Sequence, residues 1–246
     1  MSLETSPTSQ SLRDQVALIT GGGRGIGQAT AWALARRGAH VVVASRSASE
    51  LQATVAEIQS AGLHASARVL DVANEAEVEA VFAAIAADFG RLDILVNNAA
   101  ILLSGAFADM ALADWDRVLA VNLRGAVLCA RQAFRLMATQ GGSIVNVSSL
   151  GGIAGTEKFP GYAAYTVSKF AVTGLTEALA AEGRAHNIRV NGVAPGAVDT
   201  AMLHQAAPHL RTRTGPADVA KTIAFLCDPA ESGCMSGAML VINSNL

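Results

Sequence analysis

Short runs that are apolar on consecutive residues alternate along this chain with longer Ala-, Leu- and Glu-rich stretches. Segments Val16–Thr20, 41–44, 67–70, Ile94–Asn97, 144–147, 189–193 and Met239–Ile242 have β-strand character, whereas Ala48–Ser60, 75–88 and 163–185 are helix-like. A strand that is apolar almost throughout must be covered on both faces, and parallel neighbours need a crossover between them. The repeated β-then-α order therefore predicts an α/β fold with a doubly wound parallel sheet in three α/β/α layers. No repeat or linker interrupts the pattern, so 13–246 is expected to form a single domain. Residues 1–12, rich in Ser, Thr and Pro and without periodicity, are expected to be a flexible leader.

A hydrophobic fraction of 51% against 15% charged residues allows a large core and excludes a disordered chain. The formal net charge of −2, with no basic block, excludes the dense positive face that nucleic-acid backbones require. Apolar runs such as Val41-Val42-Val43-Ala44 are too short to span a bilayer, and Met1 to Gln10 lacks the order of a signal peptide. A cytoplasmic protein without a membrane partner is expected. Cys129, Cys227 and Cys234 form no zinc-like spacing, which points to buried free thiols in a reducing compartment and to no metal.

After Val16–Thr20 comes Gly21-Gly22-Gly23-Arg24-Gly25-Ile26-Gly27, followed by a helix-prone run over 28–37. Glycines in a strand-to-helix turn let the backbone approach a pyrophosphate, and the helix N-terminus offers free N–H groups; the same run also serves as a plain tight turn. At the end of the second strand, where an acid would hold a ribose 2′-hydroxyl, the chain reads Ala44-Ser45-Arg46. Ser45 can donate a hydrogen bond to a 2′-phosphate and Arg46 can fork onto it, with Arg24 closing from the other side.

In Tyr165-Thr166-Val167-Ser168-Lys169 the phenol and the ammonium stand four apart, on one helix face. A nearby cation favours phenolate and would move Tyr165 from its usual range toward neutrality, although the spacing alone also fits packing with a snorkelling lysine. The strand over 144–147 runs into Ser148-Ser149-Leu150-Gly151-Gly152, at the carboxyl end of a strand where ligands of open parallel sheets bind.

Thr20-Gly21-x-x-x-Gly25-Ile26-Gly27, Asn97-Asn98-Ala99-Ala100, the serine motif and Tyr165-x-x-x-Lys169 together resemble the classical short-chain dehydrogenases/reductases. The resemblance, spanning about 16–242, implies a Rossmann-like fold and a catalytic set of Asn122, Ser149, Tyr165 and Lys169. In that family the asparagine lies in a distorted helix and positions a water that links the lysine to solvent. Bound NADP(H) would meet Gly21, Arg24, Gly25, Ile26, Gly27, Ser45, Arg46, the pair Asp71 and Val72, Asn98 and Ala99, Tyr165 and Lys169. The loop Pro195-Gly196-Ala197-Val198-Asp199-Thr200 resembles the family's P-G-x-x-x-T segment, whose Val198 and Thr200 would grip the carboxamide. Ala100 replaces the family's glycine, and Thr156 to Gly161 lengthen the serine-to-tyrosine segment, bringing Tyr162 nearer the usual spacing. Tyr165 remains the choice because Lys169 follows it. Family members assemble through long helices, so a homotetramer or homodimer through 123–137 and 163–185 is implied.

The expected activity is NADP(H)-dependent interconversion of a ketone and a secondary alcohol. The alternatives are a 3-oxoacyl thioester reductase, an NAD-linked diol dehydrogenase of the same fold, or a non-catalytic NADP-binding scaffold. Leu102, Leu103, Ile153, Phe159, Tyr162 and Met202 are expected to line an apolar substrate pocket beneath a lid over 202–214. His204 and His209, without paired carboxylates in the pattern, are expected to be surface residues.

Overall fold

The computed structural model describes residues 10–243. Seven parallel strands form one sheet in the order β3-β2-β1-β4-β5-β6-β7. The chain runs β1 (Val16–Thr20), α1 (Gly25–Arg36), β2 (His40–Ser45), α2 (Ala48–Ser60), β3 (Ala65–Val69), α3 (Glu75–Phe89) and β4 (Ile94–Asn97). It continues through α4 (Leu112–Leu119), a π-helical turn over Ala120–Arg124, α5 (Gly125–Met137), β5 (Gly142–Val147), α6 (Ala163–Gly183) and β6 (Ile188–Pro195). Helices α7 (Ala201–Ala206), α8 (Pro216–Cys227) and α9 (Pro229–Ser232) precede β7 (Met239–Ile242).

The alternation of side chains along each strand divides the core in two. Ala17, Ile19, Val41 and Val43 pack on the layer carrying Leu34, Leu51, Ile58 and Ile223, while Leu18, Val42 and Leu95 meet Val78, Phe82, Ile85, Leu128 and Met137. Both sheet faces are therefore covered, which is why β1 and β4 are buried at every residue. Leu12 is fully buried, so the folded body begins no later than that residue; residues 1–9 of the expected leader and 244–246 lie outside the described residues. Strand β3 starts two residues before the expected 67–70 because, on the sheet's edge, it carries half-exposed Ser66 and Arg68 rather than a solid apolar run. Among the described residues, no helix is long and apolar enough to cross a membrane, and no group of three His, Cys, Asp or Glu could hold a metal ion.

Cysteine placement corrects one expectation. Cys129 and Cys227 are buried and free, and burial pushes each thiol up to about 12, but Cys234 is exposed in the turn after α9.

Candidate active site

Strand order reverses between β1 and β4, so the crevice opens at their carboxyl ends. Gly21 leaves β1 with φ +66°, and its N–H donates to the Ala44 carbonyl at 2.7 Å. Helix α1 then approaches so closely that a Cβ on Gly27 would stand 2.2 Å from the Gly21 oxygen and 2.6 Å from Asn98 Nδ2. Asn98 fixes this turn: its Nδ2 donates to the Thr20 and Gly21 carbonyls at 2.9 and 3.2 Å. The backbone N–H groups of Asn98 and Ala99 donate to Thr20 Oγ1 at 3.0 and 3.1 Å. The Asn98 amide thus braces the turn from behind. No side chain caps α1 and no acid sits in its first turn, so its N-terminal N–H groups and positive dipole end are uncontested.

Ser45 ends β2 with a buried Oγ that has no hydrogen-bond partner. Arg46 is exposed, and Arg24 pairs with Glu50 at 3.5 Å, a partner supplied by α2. Asp71 Oδ1 accepts from the Ala73 N–H at 3.0 Å, closing a turn, and Val72 packs 2.8 Å from the Cβ position of Gly125. Beyond β6, which ends at Pro195, the Gly196 N–H donates to the Ile242 carbonyl at 2.8 Å. Thr200 Oγ1 donates to the Val198 carbonyl at 3.2 Å and accepts from the Leu203 N–H, capping α7. A Cβ on Gly25 would lie 3.6 Å from Thr200 Cγ2, so the two loops face each other across the crevice. A glycine cradle, a free helix N-terminus and a buried hydroxyl lacking a partner at a strand end fit a nicotinamide dinucleotide.

The reactive cluster lies beside this crevice. Ser149, just past β5, accepts from the Gly151 N–H at 3.2 Å, and its hydroxyl is near enough to the Tyr165 phenol to favour the phenolate. Ser148 points elsewhere, donating to the Lys169 carbonyl at 2.9 Å. One turn below Tyr165 on α6, Lys169 is buried, with Nζ donating to the Val147 carbonyl at 2.8 Å and lying 5.6 Å from the Tyr165 ring centroid. Asn122 sits in the π-helical turn; its Oδ1 accepts from the Ile101 N–H at 2.8 Å, and its Nδ2 donates to the Ile101 carbonyl and to Ser168 Oγ at 2.9 and 3.0 Å. The distortion ties the loop after β4 to α6, a recurrent use of π-turns near functional sites.

The protonation of this cluster differs from the expectation. Burial pushes the Tyr165 phenol above its ordinary value of 10, and the nearby Ser149 hydroxyl only partly pulls it back. Burial also lowers Lys169 from 10.5 to about 8, so its ammonium is itself under strain and gives the phenol less help than the spacing suggested. At neutral pH Tyr165 holds its proton, the state needed to protonate a carbonyl oxygen.

A lysine whose folded pKa lies below its unfolded value costs stability up to about pH 8, and the cost fades as pH rises from there to 10.5, where only the unfolded chain still binds the proton. Lys169→Met should therefore stabilise the ligand-free protein at pH 7 by about 2 kcal/mol, from roughly 3 kcal/mol of relieved charge burial less about 1 for the orphaned Val147 carbonyl. Denaturant melts of both proteins from pH 7 to 10 test this: the gap should narrow with rising pH, and a constant gap contradicts the assignment.

Tyr162 is committed elsewhere: its hydroxyl donates to the Ala206 carbonyl at 2.6 Å, tying the end of α7 to the start of α6. His204 and His209 are both exposed, as expected, but His204 Nε2 lies 2.7 Å from Asp199 Oδ1, a carboxylate partner that the sequence pattern does not show. The carboxylate precedes the cap of α7, and only the fold of that turn brings it back; both side chains remain mostly exposed. The segment over 202–214 is further held by Thr212 Oγ1 on the Ala197 carbonyl at 3.1 Å. Removing the Tyr162 hydroxyl loosens one of these ties, so Tyr162→Phe should raise KM roughly 3- to 10-fold with kcat within about twofold. A drop in kcat with KM unchanged would instead place Tyr162 in the chemistry.

Fold and site together define an oxidoreductase of the nicotinamide-dependent class. The chain belongs to the short chain dehydrogenase family, whose model matches residues 15–211. It is 42% identical over 229 residues to a 3-oxoacyl-[acyl-carrier-protein] reductase of Synechocystis sp., covering 89% of this chain and 92% of that one. It is 38% identical over 201 residues to a 3beta-hydroxysteroid dehydrogenase of Mediterraneibacter gnavus, covering 81% and 72%. A solved short-chain type dehydrogenase/reductase from Mycobacterium marinum superposes with a TM-score of 0.90 at 33% identity, covering 96% of each chain.

Proposed function

We propose that this chain is an NADP(H)-dependent reductase of apolar ketones, running in reverse as a secondary-alcohol dehydrogenase. The observation that carries the reading is the gathering of Ser149 at the end of β5 with Tyr165 and the buried Lys169, whose Nζ lies 5.6 Å from the Tyr165 ring, beside a crevice that fits a dinucleotide. When bound, the nicotinamide supplies the hydride in reduction and accepts it in oxidation. Ser149 donates a hydrogen bond to the carbonyl oxygen, where negative charge develops. Tyr165 gives that oxygen its proton, and Lys169 supports the resulting phenolate. Asn122 acts as a positioning residue, and a water at its turn returns the proton from solvent through Lys169. Reduction should therefore weaken as pH rises through the Tyr165 range, and oxidation should strengthen.

NADP(H) is favoured because Ser45 has an unused hydroxyl, Arg46 is free to fork onto a phosphate, and β2 ends without an acid. An apolar substrate is favoured by the apolar character of Leu102, Leu103, Ile153, Phe159, Tyr162 and Met202, the residues expected to line the pocket, of which Phe159 and Met202 are 55% and 36% exposed. The cyanobacterial relative's name supports a second reading, a 3-oxoacyl thioester reductase. The grooved face of α5 and α6, with Val127, Phe134, Leu175 and Leu179 between Arg131 and Glu182, suits self-association, so a dimer or tetramer in solution is part of the proposal. Initial rates with NADPH and with NADH over neutral ketones, acidic ketones and a 3-oxoacyl thioester test the reading. NADPH-preferring turnover of neutral ketones is expected; preference for NADH or for an acidic ketone overturns it.

A further inference from the structure

Glu50 belongs to none of the groups that the reaction uses, yet it stands at the corner of the crevice reserved for the adenosine ribose. It is the third residue of α2, whose first turn is capped by Ser47 Oγ accepting from the Glu50 N–H. A Cβ on Gly23 would lie 2.9 Å from Glu50 Cβ and 3.3 Å from Ser45 Oγ, so the glycine turn, the buried hydroxyl and this acid converge. Thr54 Oγ1 donates to the Gly23 carbonyl at 3.2 Å, locking the turn to α2 independently of any charge. Across this locked contact the Glu50 carboxylate pairs with Arg24 at 3.5 Å, with side chains 39% and 70% exposed.

Resting on the NADP(H) reading above, we propose that Glu50 is a cofactor-selectivity residue: its carboxylate competes with the 2′-phosphate for Arg24 and so narrows the preference for NADP(H) over NAD(H). A pair this exposed and this long is weak, which lets Arg24 leave it for a phosphate that carries more charge. The exchange still costs part of the phosphate's attraction, and Glu50 is left as an uncompensated negative charge near the ligand. NAD(H), with only a hydroxyl at that position, does not call on Arg24 and escapes the penalty. Glu50 acts through Arg24 and is a positioning residue, not a catalytic one.

Dissociation constants for NADPH and NADH, measured by quenching of protein fluorescence on wild type, Glu50→Gln, Arg24→Gln and the double variant, test the proposal. Glutamine keeps the side-chain length and the helix propensity while removing the charge. Glu50→Gln should tighten NADPH about five- to tenfold and leave NADH within about twofold, and the gain should fall by about half or more in the Arg24→Gln background, where only direct repulsion of the phosphate by Glu50 is left to relieve. A shift common to both cofactors, no shift, or an undiminished gain without Arg24 overturns the role of Glu50. Wild type binding NADH more tightly than NADPH would defeat the cofactor reading instead, while the change in the ratio of the two constants on Glu50→Gln still decides the inference.

Discussion

Tyr165→Phe should lower turnover roughly 10³-fold while nicotinamide binding stays within about twofold, because the substitution removes the proton donor and little else. The ring remains packed at the start of α6, beside Lys169 and Ser149, so the shape of the crevice is kept. The loss should appear in kcat and in kcat/KM together, the signature of an interaction made in the transition state. Steady-state rates and cofactor titration on the same preparation separate the two effects. Activity within tenfold of wild type would show that the proton comes from another group, and Tyr162 would be the first to examine.

The second large effect is expected at Gly27. A methyl group there would overlap the Gly21 oxygen at 2.2 Å and the Asn98 amide at 2.6 Å, both parts of a braced turn that cannot yield. Alanine in a helix is worth about 1 kcal/mol over glycine, but the overlap reverses that advantage. Gly27→Ala should cost about 2 kcal/mol net, lowering Tm by roughly 4–8 °C. It should also weaken nicotinamide binding by at least about tenfold, since α1 must back away from the pyrophosphate position to make room. Thermal melts with and without NADPH report both: the melting temperature falls, and the cofactor restores little of it. Wild-type melting and binding would mean that the close approach of α1 to β1 is not what shapes the cradle.

Local features were legible in the sequence because they depend on spacing within one element or one turn. The glycine turn after β1, the full apolar runs that became buried strands, and the Tyr165 and Lys169 pair on one helix face are of this kind. Relations between elements were not. Arg24 reads as a free base until α2 folds beside it and presents Glu50. His204 reads as unpaired until the cap of α7 turns Asp199 toward it. The spacing around Asn98 does not show that its amide bonds the Thr20 and Gly21 carbonyls across the turn. The direction of the Tyr165 shift was missed for the same reason: helical spacing brings the cation near, but burial, which spacing does not report, outweighs it and weakens the cation too. At the sheet edge, β3 carries Ser66 and Arg68 where interior strands are apolar, so its start was read two residues late.

Isotope transfer tests the central claim most directly. Wild-type protein is given NADPH carrying deuterium at the transferable position of the nicotinamide ring, together with the neutral ketone it turns over best. The account predicts one deuterium bonded to the carbinol carbon of the alcohol, and roughly a thousandfold slower formation of that alcohol by Tyr165→Phe under the same conditions. Alcohol formed without deuterium at that carbon from either face of the labelled ring, or no alcohol from a protein that binds NADPH and a full panel of ketones, would contradict it.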